Sequence, residues 1–197
     1  MIPFSYNNDN DNDDIDADLE DIIDNIFMDS STSSTLVFNM DIERPYEHYH
    51  MITDMIAIGD YTTPYQPFDV IFNFNYPYNG ALLGVIDSEL DYESGIIKKT
   101  VHKIGLLDTT IYSDTLIEIF IKLIPYLIEA KGKRILFHCY AGISRSTTAA
   151  ILYLMLTTKL TLQEIYALIE SKRFHVNPNP TFRRIIDICY SMRSQIK

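Results

Sequence analysis

The segment His138-Cys139-Tyr140-Ala141-Gly142-Ile143-Ser144-Arg145-Ser146 puts a thiol and a guanidinium at the two ends of one short stretch. The run Arg134 to Phe137 before it reads as a strand, and the stretch from about Ser146 to Thr158 after it reads as a helix. The residues between two such elements must curl at a helix N-terminus, where backbone N–H groups are unpaired and the helix dipole is positive. A nest of this kind binds a phosphoryl group and favours a thiolate in the same place. A free cysteine with a pKa of ~8.5 is mostly protonated near neutrality, but beside a cation at a helix N-terminus it falls by several units. Cys139 is therefore expected to be an anion. Arg145 supplies a planar fork that holds two phosphoryl oxygens, which lysine cannot copy.

The chemistry implied is attack on a phosphate ester. A thiolate displaces the ester oxygen to give a cysteinyl-phosphate, a carboxylic acid protonates the departing oxygen, and water then hydrolyses the intermediate. No metal or cofactor is needed for this sequence of steps. His48, His50, His102 and His175 show no metal-ligand spacing.

The elements that must position these groups alternate between strand-like and helix-like patterns, which implies an α/β domain with a central sheet covered on both sides. Candidate strands are Thr35 to Asn39, Met55 to Ile58, Val70 to Asn73, Val101 to Leu107 and Arg134 to Phe137. A helix starting near Asp114 is expected to bury Leu116, Ile117, Phe120, Leu123, Ile124 and Leu127, with Pro125 kinking it. Thr161-Leu162-Gln163-Glu164 is a capping box opening a helix through about Ser171, and Pro180 suits the first turn of the last helix.

At the residues from His138 to Ser146 the chain resembles the cysteine-dependent protein tyrosine phosphatase superfamily, and its dual-specificity phosphatase family most of all. The likeness runs from about Met51 to Met192 and takes in Met55 to Gly59, Val70 to Asn73, Asp108 and the segment Val176 to Phe182. It implies a central mixed, mostly parallel sheet flanked by helices. It also implies roles: Cys139 as nucleophile, Arg145 as phosphate clamp and Asp108, about thirty residues upstream, as general acid on a mobile loop. Ser146 would hydrogen-bond the thiolate, His138 would orient the loop from behind, and Tyr140, Ala141, Gly142, Ile143 and Ser144 would line the phosphate. Asn179 would brace the loop through backbone contacts, with Asn177 as a neighbouring alternative. Aspartates after strands are ordinary turn residues, so Asp87, Asp91 and Asp114 compete with Asp108. Tyr140 reads equally as a rim residue touching substrate or as a surface aromatic.

The 197 residues suit one sizeable core, and 47% apolar content fits a globular chain. The net charge of −11 comes from one end. Residues 1–34 hold nine Asp and one Glu without Lys or Arg, which leaves 17 acidic against 16 basic residues in the rest. The expected organisation is an acidic low-complexity tail over 1–34 and a catalytic domain over 35–197. Within the tail, Ile15, Leu19, Ile22, Ile23, Ile26 and Phe27 fall at helical spacing and suggest a short amphipathic helix able to dock on the domain or on a protein partner. Asp9, Asp11, Asp13 and Glu20 only partly match a calcium loop, because Asp14 stands where glycine is required.

The charge argues against nucleic acid or an anionic membrane as partner. Two cysteines, no signal-peptide pattern and no long apolar run point to a reducing intracellular compartment, taken as the cytoplasm with the nucleus left open. Cys189, among Ile185, Ile186 and Ile188, reads as a buried structural thiol, whereas the Cys139 thiolate is expected to be exposed and open to mild peroxide. The leading reading is a phosphatase acting on phosphotyrosine and phosphoserine or phosphothreonine in proteins. The alternatives are an enzyme for a non-protein phosphate, such as a phosphoinositide or an RNA 5′ end, and a phosphopeptide-binding module. The loop carries no lysine of the kind a highly anionic substrate would favour.

Overall fold

The structure is a computed structural model that describes residues 47–75, 86–93, 96–111 and 114–193. All of them lie in the compact unit Arg44–Lys197. The expected strand Thr35 to Asn39, the tail helix and the calcium-loop residues fall outside the described residues.

Six strands form one sheet in the order β1-β2-β6-β3-β5-β4. They are β1 (Tyr49–Met51), β2 (Ile56–Gly59), β3 (Val70–Asn73), β4 (Ile86–Glu93), β5 (Ile96–Ile104) and β6 (Ile135–His138). The four central strands β2, β6, β3 and β5 run parallel, while β1 and β4 close the edges antiparallel. The fold is therefore α/β with a mixed, mostly parallel sheet, as the sequence implies. Ile-Ala-Ile-Gly, Val-Ile-Phe-Asn and Ile-Leu-Phe-His are nearly continuous apolar runs because both faces of these strands are covered. On one face Ala57, Phe68, Ile71 and Leu136 form a cluster with Tyr49, Met51, Tyr65 and Val101 packed against it.

The helices are α1 (Asp114–Glu129), α2 (Arg145–Thr157), α3 (Leu162–Lys172) and α4 (Pro180–Arg193). Helix α2 is the hub, packing against α1, α3, α4, β6 and β2. Every residue from Ser146 to Met155 is buried, so this helix lacks the polar face that a surface helix carries. Thr161 caps α3 through its side chain and Glu164 reaches back to the Thr161 backbone, completing the expected box. Helix α1 buries Leu116, Ile119, Phe120, Leu123 and Leu127. Ile117 and Ile124 are only half-buried, which corrects the expected stripe: the buried face is rotated toward Ile119.

Two strands escape the sequence reading. Strand β1 is three residues long. Strand β4 carries four carboxylate residues in eight, a composition poor in β propensity that an edge position tolerates. It pairs with β5 from Ile86↔Ile104 to Glu93↔Ile96. Strand β5 also ends at Ile104 rather than Leu107, so Asp108 lies in an irregular segment beyond the sheet. The register Gly59↔His138↔Asn73, with Asn73↔Lys103, brings the carboxyl ends of β2, β6, β3 and β5 to one edge. In open parallel sheets that edge is where ligands bind.

Candidate active site

Strand β6 ends at His138, helix α2 begins at Arg145, and the intervening chain turns back on itself through Gly142 at φ 68°. A Cβ at Gly142 would come within 2.6 Å of both the Arg173 guanidinium and the Gly59 carbonyl oxygen. Only glycine meets both the left-handed backbone and the close approach.

Cys139 sits on the floor of this turn at 2% exposure, which corrects the expectation of an exposed thiol. The Gly142 N–H and the Ser146 hydroxyl each donate to its sulfur at 3.3 Å. Burial opposes ionisation of Cys139, but the Ser146 hydroxyl and amide, the Arg145 charge and the Gly142 amide together outweigh it, so the thiol is more acidic than usual. Among the described residues no such donor reaches Cys189 on α4. It is half-buried rather than buried, and burial pushes its thiol up.

Arg145 is held by the neighbouring strands. Its Nη1 donates to the Phe74 carbonyl at 2.7 Å and to the Leu106 carbonyl at 3.3 Å, beyond the ends of β3 and β5. Its Nε is buried, makes no hydrogen bond within the protein and lies 3.7 Å from Asp108 Oδ2. A buried guanidinium N–H without an acceptor is costly, and a bound oxyanion is the natural group to satisfy it.

Asp108 is drawn to the same place by three groups. Ser144 Oγ donates to its Oδ1 at 2.9 Å and Asn179 Nδ2 donates to the same oxygen at 2.7 Å, while Arg145 faces Oδ2. Asn179 Oδ1 in turn accepts the Phe182 N–H at 3.0 Å, capping α4 ahead of Pro180. The amide therefore has one orientation that serves both ends. The Asn179 N–H also donates to Ser144 Oγ at 3.2 Å, and the Asn177 N–H donates to the Ile143 carbonyl at 2.9 Å. The brace expected of Asn179 is thus shared: Asn177 holds the turn by its backbone, and Asn179 spends its side chain on Asp108 and the helix cap. Among the competing aspartates, Asp114 opens α1. Asp87 and Asp91 lie on β4, three strand spacings or about 14 Å from β6.

His138 lies at 3% exposure and shares a 2.6 Å hydrogen bond between its Nε2 and the Tyr65 hydroxyl. Burial lowers its pKa to about 4, against weaker opposite pulls from the Cys139 backbone and Asp60. It is neutral at physiological pH.

Sequence reasoning missed Arg173, which is fully buried directly after α3. Its Nε donates to the Gly142 carbonyl at 3.0 Å and its Nη2 to the Ala141 carbonyl at 3.2 Å, while Nη1 meets His50 Nδ1 at 2.7 Å. By holding two carbonyls outward it fixes the peptide planes whose N–H groups face the other way. A cleft of about 700 Å³ along β1, lined by Glu47, His48, Tyr49, His50, Met51, Pro64 and Lys172, adjoins this bracing through His50 and not through the thiol. Among the described residues no cluster of three or more His, Cys, Asp or Glu is arranged to hold a metal, and no helix is long and apolar enough to cross a membrane.

Comparison with known proteins bears on the family and the fold. The family model of the dual specificity phosphatase catalytic domain matches residues 95–189. Dual specificity protein phosphatase 6 of Homo sapiens is 37% identical over 73 residues, covering 36% of this chain and 19% of that protein. Dual specificity protein phosphatase 15 of Rattus norvegicus is 48% identical over 56 residues, covering 28% of this chain and 24% of that protein. The match thus spans about a quarter or less of these relatives' length. Among solved structures, the human tyrosine phosphatase-like serine/threonine/tyrosine-interacting protein aligns with a TM-score of 0.56 at 18% identity, covering 73% of this chain and 96% of that one. This likeness concerns the fold.

Two measurements test the site's electrostatics. The rate of alkylation by iodoacetamide as a function of pH is expected to give Cys139 a midpoint below that of an ordinary thiol, with Ser146→Ala moving it upward; a midpoint at the ordinary value in both proteins contradicts the two-donor geometry. A His138 pKa near 4, against about 6.5 when unfolded, means that the folded state binds fewer protons. The associated stability is complete above pH 6.5 and is lost as pH falls toward 4, on the order of 3 kcal/mol. Urea unfolding at pH 7 and pH 4.5 is expected to show a smaller difference for His138→Asn than for the parent chain, and equal differences would remove His138 as the cause.

Proposed function

We propose that this chain, whose catalytic domain belongs to the dual specificity phosphatase family, hydrolyses phosphotyrosine and phosphoserine or phosphothreonine in proteins through a cysteinyl-phosphate. The observation that carries the reading is the pairing of an acidified, doubly hydrogen-bonded Cys139 sulfur with the unsatisfied Arg145 Nε at the two ends of one turn.

In the first step the Cys139 thiolate attacks phosphorus, the S–P bond forms and the P–O ester bond breaks. The departing oxygen takes a proton from Asp108. Because Oδ1 of Asp108 already accepts from Ser144 and Asn179, Oδ2 is the oxygen left to carry that proton. Arg145 and the inward N–H groups of the turn hold the phosphoryl oxygens as charge shifts among them. In the second step the Asp108 carboxylate takes a proton from water, whose oxygen attacks phosphorus and releases Cys139. The Ser146 hydroxyl stabilises the sulfur as it leaves. His138, neutral and fixed by Tyr65, supports the start of the turn from within the sheet.

The turn contributes Tyr140, Ala141, Gly142, Ile143 and Ser144, none of them cationic, which supports a phosphoprotein over a polyanionic lipid or RNA substrate. We further propose a catalytic domain over 35–197 with 1–34 as a separate acidic segment that engages a protein partner. Two free thiols support a reducing compartment such as the cytoplasm.

Substitution Cys139→Ser is expected to abolish turnover of phosphopeptides while phosphate binding persists, and near-normal turnover would remove the covalent mechanism. Substitution Asp108→Asn is expected to slow the release of poor leaving groups by roughly 10²–10⁴-fold, the usual share of general acid–base catalysis. A larger loss from Asp114→Asn would transfer the acid role to that residue.

A further inference from the structure

The parallel register that pairs Gly59 with His138 also sets the residues just beyond those strands side by side. Tyr61, two residues past the end of β2, donates its backbone N–H to the carbonyl of Tyr140, two residues past the end of β6, at 3.2 Å. Their rings stack with centroids 5.1 Å apart and planes 7° from parallel. Both remain largely in solvent, at 55% and 62% exposure, although Tyr140 is the neighbour of a cysteine at 2%.

This pair is held from beneath. Asp60 is buried; its backbone N–H donates to the His48 carbonyl at 2.9 Å, and its Oδ1 accepts the Thr62 N–H at 2.7 Å and the Thr62 hydroxyl at 2.6 Å. Thr63 returns a hydroxyl bond to the His48 carbonyl at 3.0 Å and an N–H bond to the Asp60 carbonyl at 3.2 Å. A turn so thoroughly pinned on its inner side presents Tyr61 rigidly on its outer side. Two large aromatic rings kept in water by a stiff scaffold gain little for stability, whereas at an interface such rings are favoured contacts.

We propose that Tyr61 and Tyr140 form an aromatic ledge at the lip of the phosphate turn that packs against the ring of phosphotyrosine. This inference rests on the phosphatase reading and deepens it by naming the preferred ester. With phosphorus at a buried sulfur, a phosphotyrosine carries an aromatic ring between its phosphate and its backbone, in the span that leads from buried Cys139 to its exposed neighbour Tyr140. Phosphoserine and phosphothreonine end at the β-carbon and have no ring to offer there. A stacked or edge-on aromatic pair contributes beyond simple burial, and the ledge adds this contribution to one substrate class only.

The test uses one peptide frame carrying either phosphotyrosine or phosphothreonine. The ratio of kcat/KM for the two peptides is measured for the parent chain and for Tyr61→Ala, Tyr61→Phe and Tyr140→Ala, and the binding of both peptides is measured by calorimetry in the Cys139→Ser background. The ledge predicts that Tyr61→Ala and Tyr140→Ala lower the phosphotyrosine-to-phosphothreonine ratio by roughly three- to tenfold in turnover and in binding, while Tyr61→Phe leaves it near the parent value. An unchanged ratio, whether both peptides weaken together or neither does, overturns the ledge. Should the parent chain turn over neither peptide, the phosphatase reading fails, and the calorimetric ratio still decides the ledge; absence of phosphotyrosine-peptide binding overturns it.

Discussion

The whole site depends on keeping one stretch of backbone in an orientation it would not choose unaided. For the N–H groups of the turn to face a common point, its carbonyls must face away, into protein that offers few donors. Arg173 solves this from the end of α3 by putting its guanidinium against the Ala141 and Gly142 carbonyls in a fully buried position. A buried guanidinium is itself expensive unless hydrogen-bonded in several directions, and His50 takes a further side of it. Gly142 completes the arrangement, since any side chain there would collide with the very group that holds it.

Around this fixed turn the remaining groups share partners rather than owning them. Ser144 Oγ donates to Asp108 and accepts from the Asn179 backbone, while the Asn179 side chain serves both Asp108 and the first turn of α4. Thr181, in the first turn of α4, adds a bond from its hydroxyl to the Thr110 carbonyl on the segment that bears Asp108. Asp108 is thus located by the end of a helix and not by the strand that precedes it. That accounts for its defined position in an otherwise irregular stretch.

Much of this was legible because it is local. The turn from Cys139 to Arg145, the strand before it and the helix after it follow from a short run of residues, and the structure places their ends within a residue of the expected ones. The capping box at Thr161 and the helix-opening proline at Pro180 are equally local signals. What escaped is non-local or runs against type. Arg173 lies 31 residues past Gly142, and an arginine near a helix end ordinarily reads as a surface charge. Strand β4 is too acidic to read as a strand, and only its pairing with β5 makes it one. The depth of Cys139 is likewise unreadable from the motif, because depth is set by how far the four parallel strands carry the turn into the core.

That depth has a consequence for the chemistry of the sulfur itself. A sulfur at 2% exposure presents almost no surface of its own, so a group seated in the turn above it would also cover it. Under the proposed chemistry oxidant and substrate would contend for the same atom, and susceptibility to damage would become a function of idleness: a chain at work sheltered by its own cargo, and one starved of cargo not.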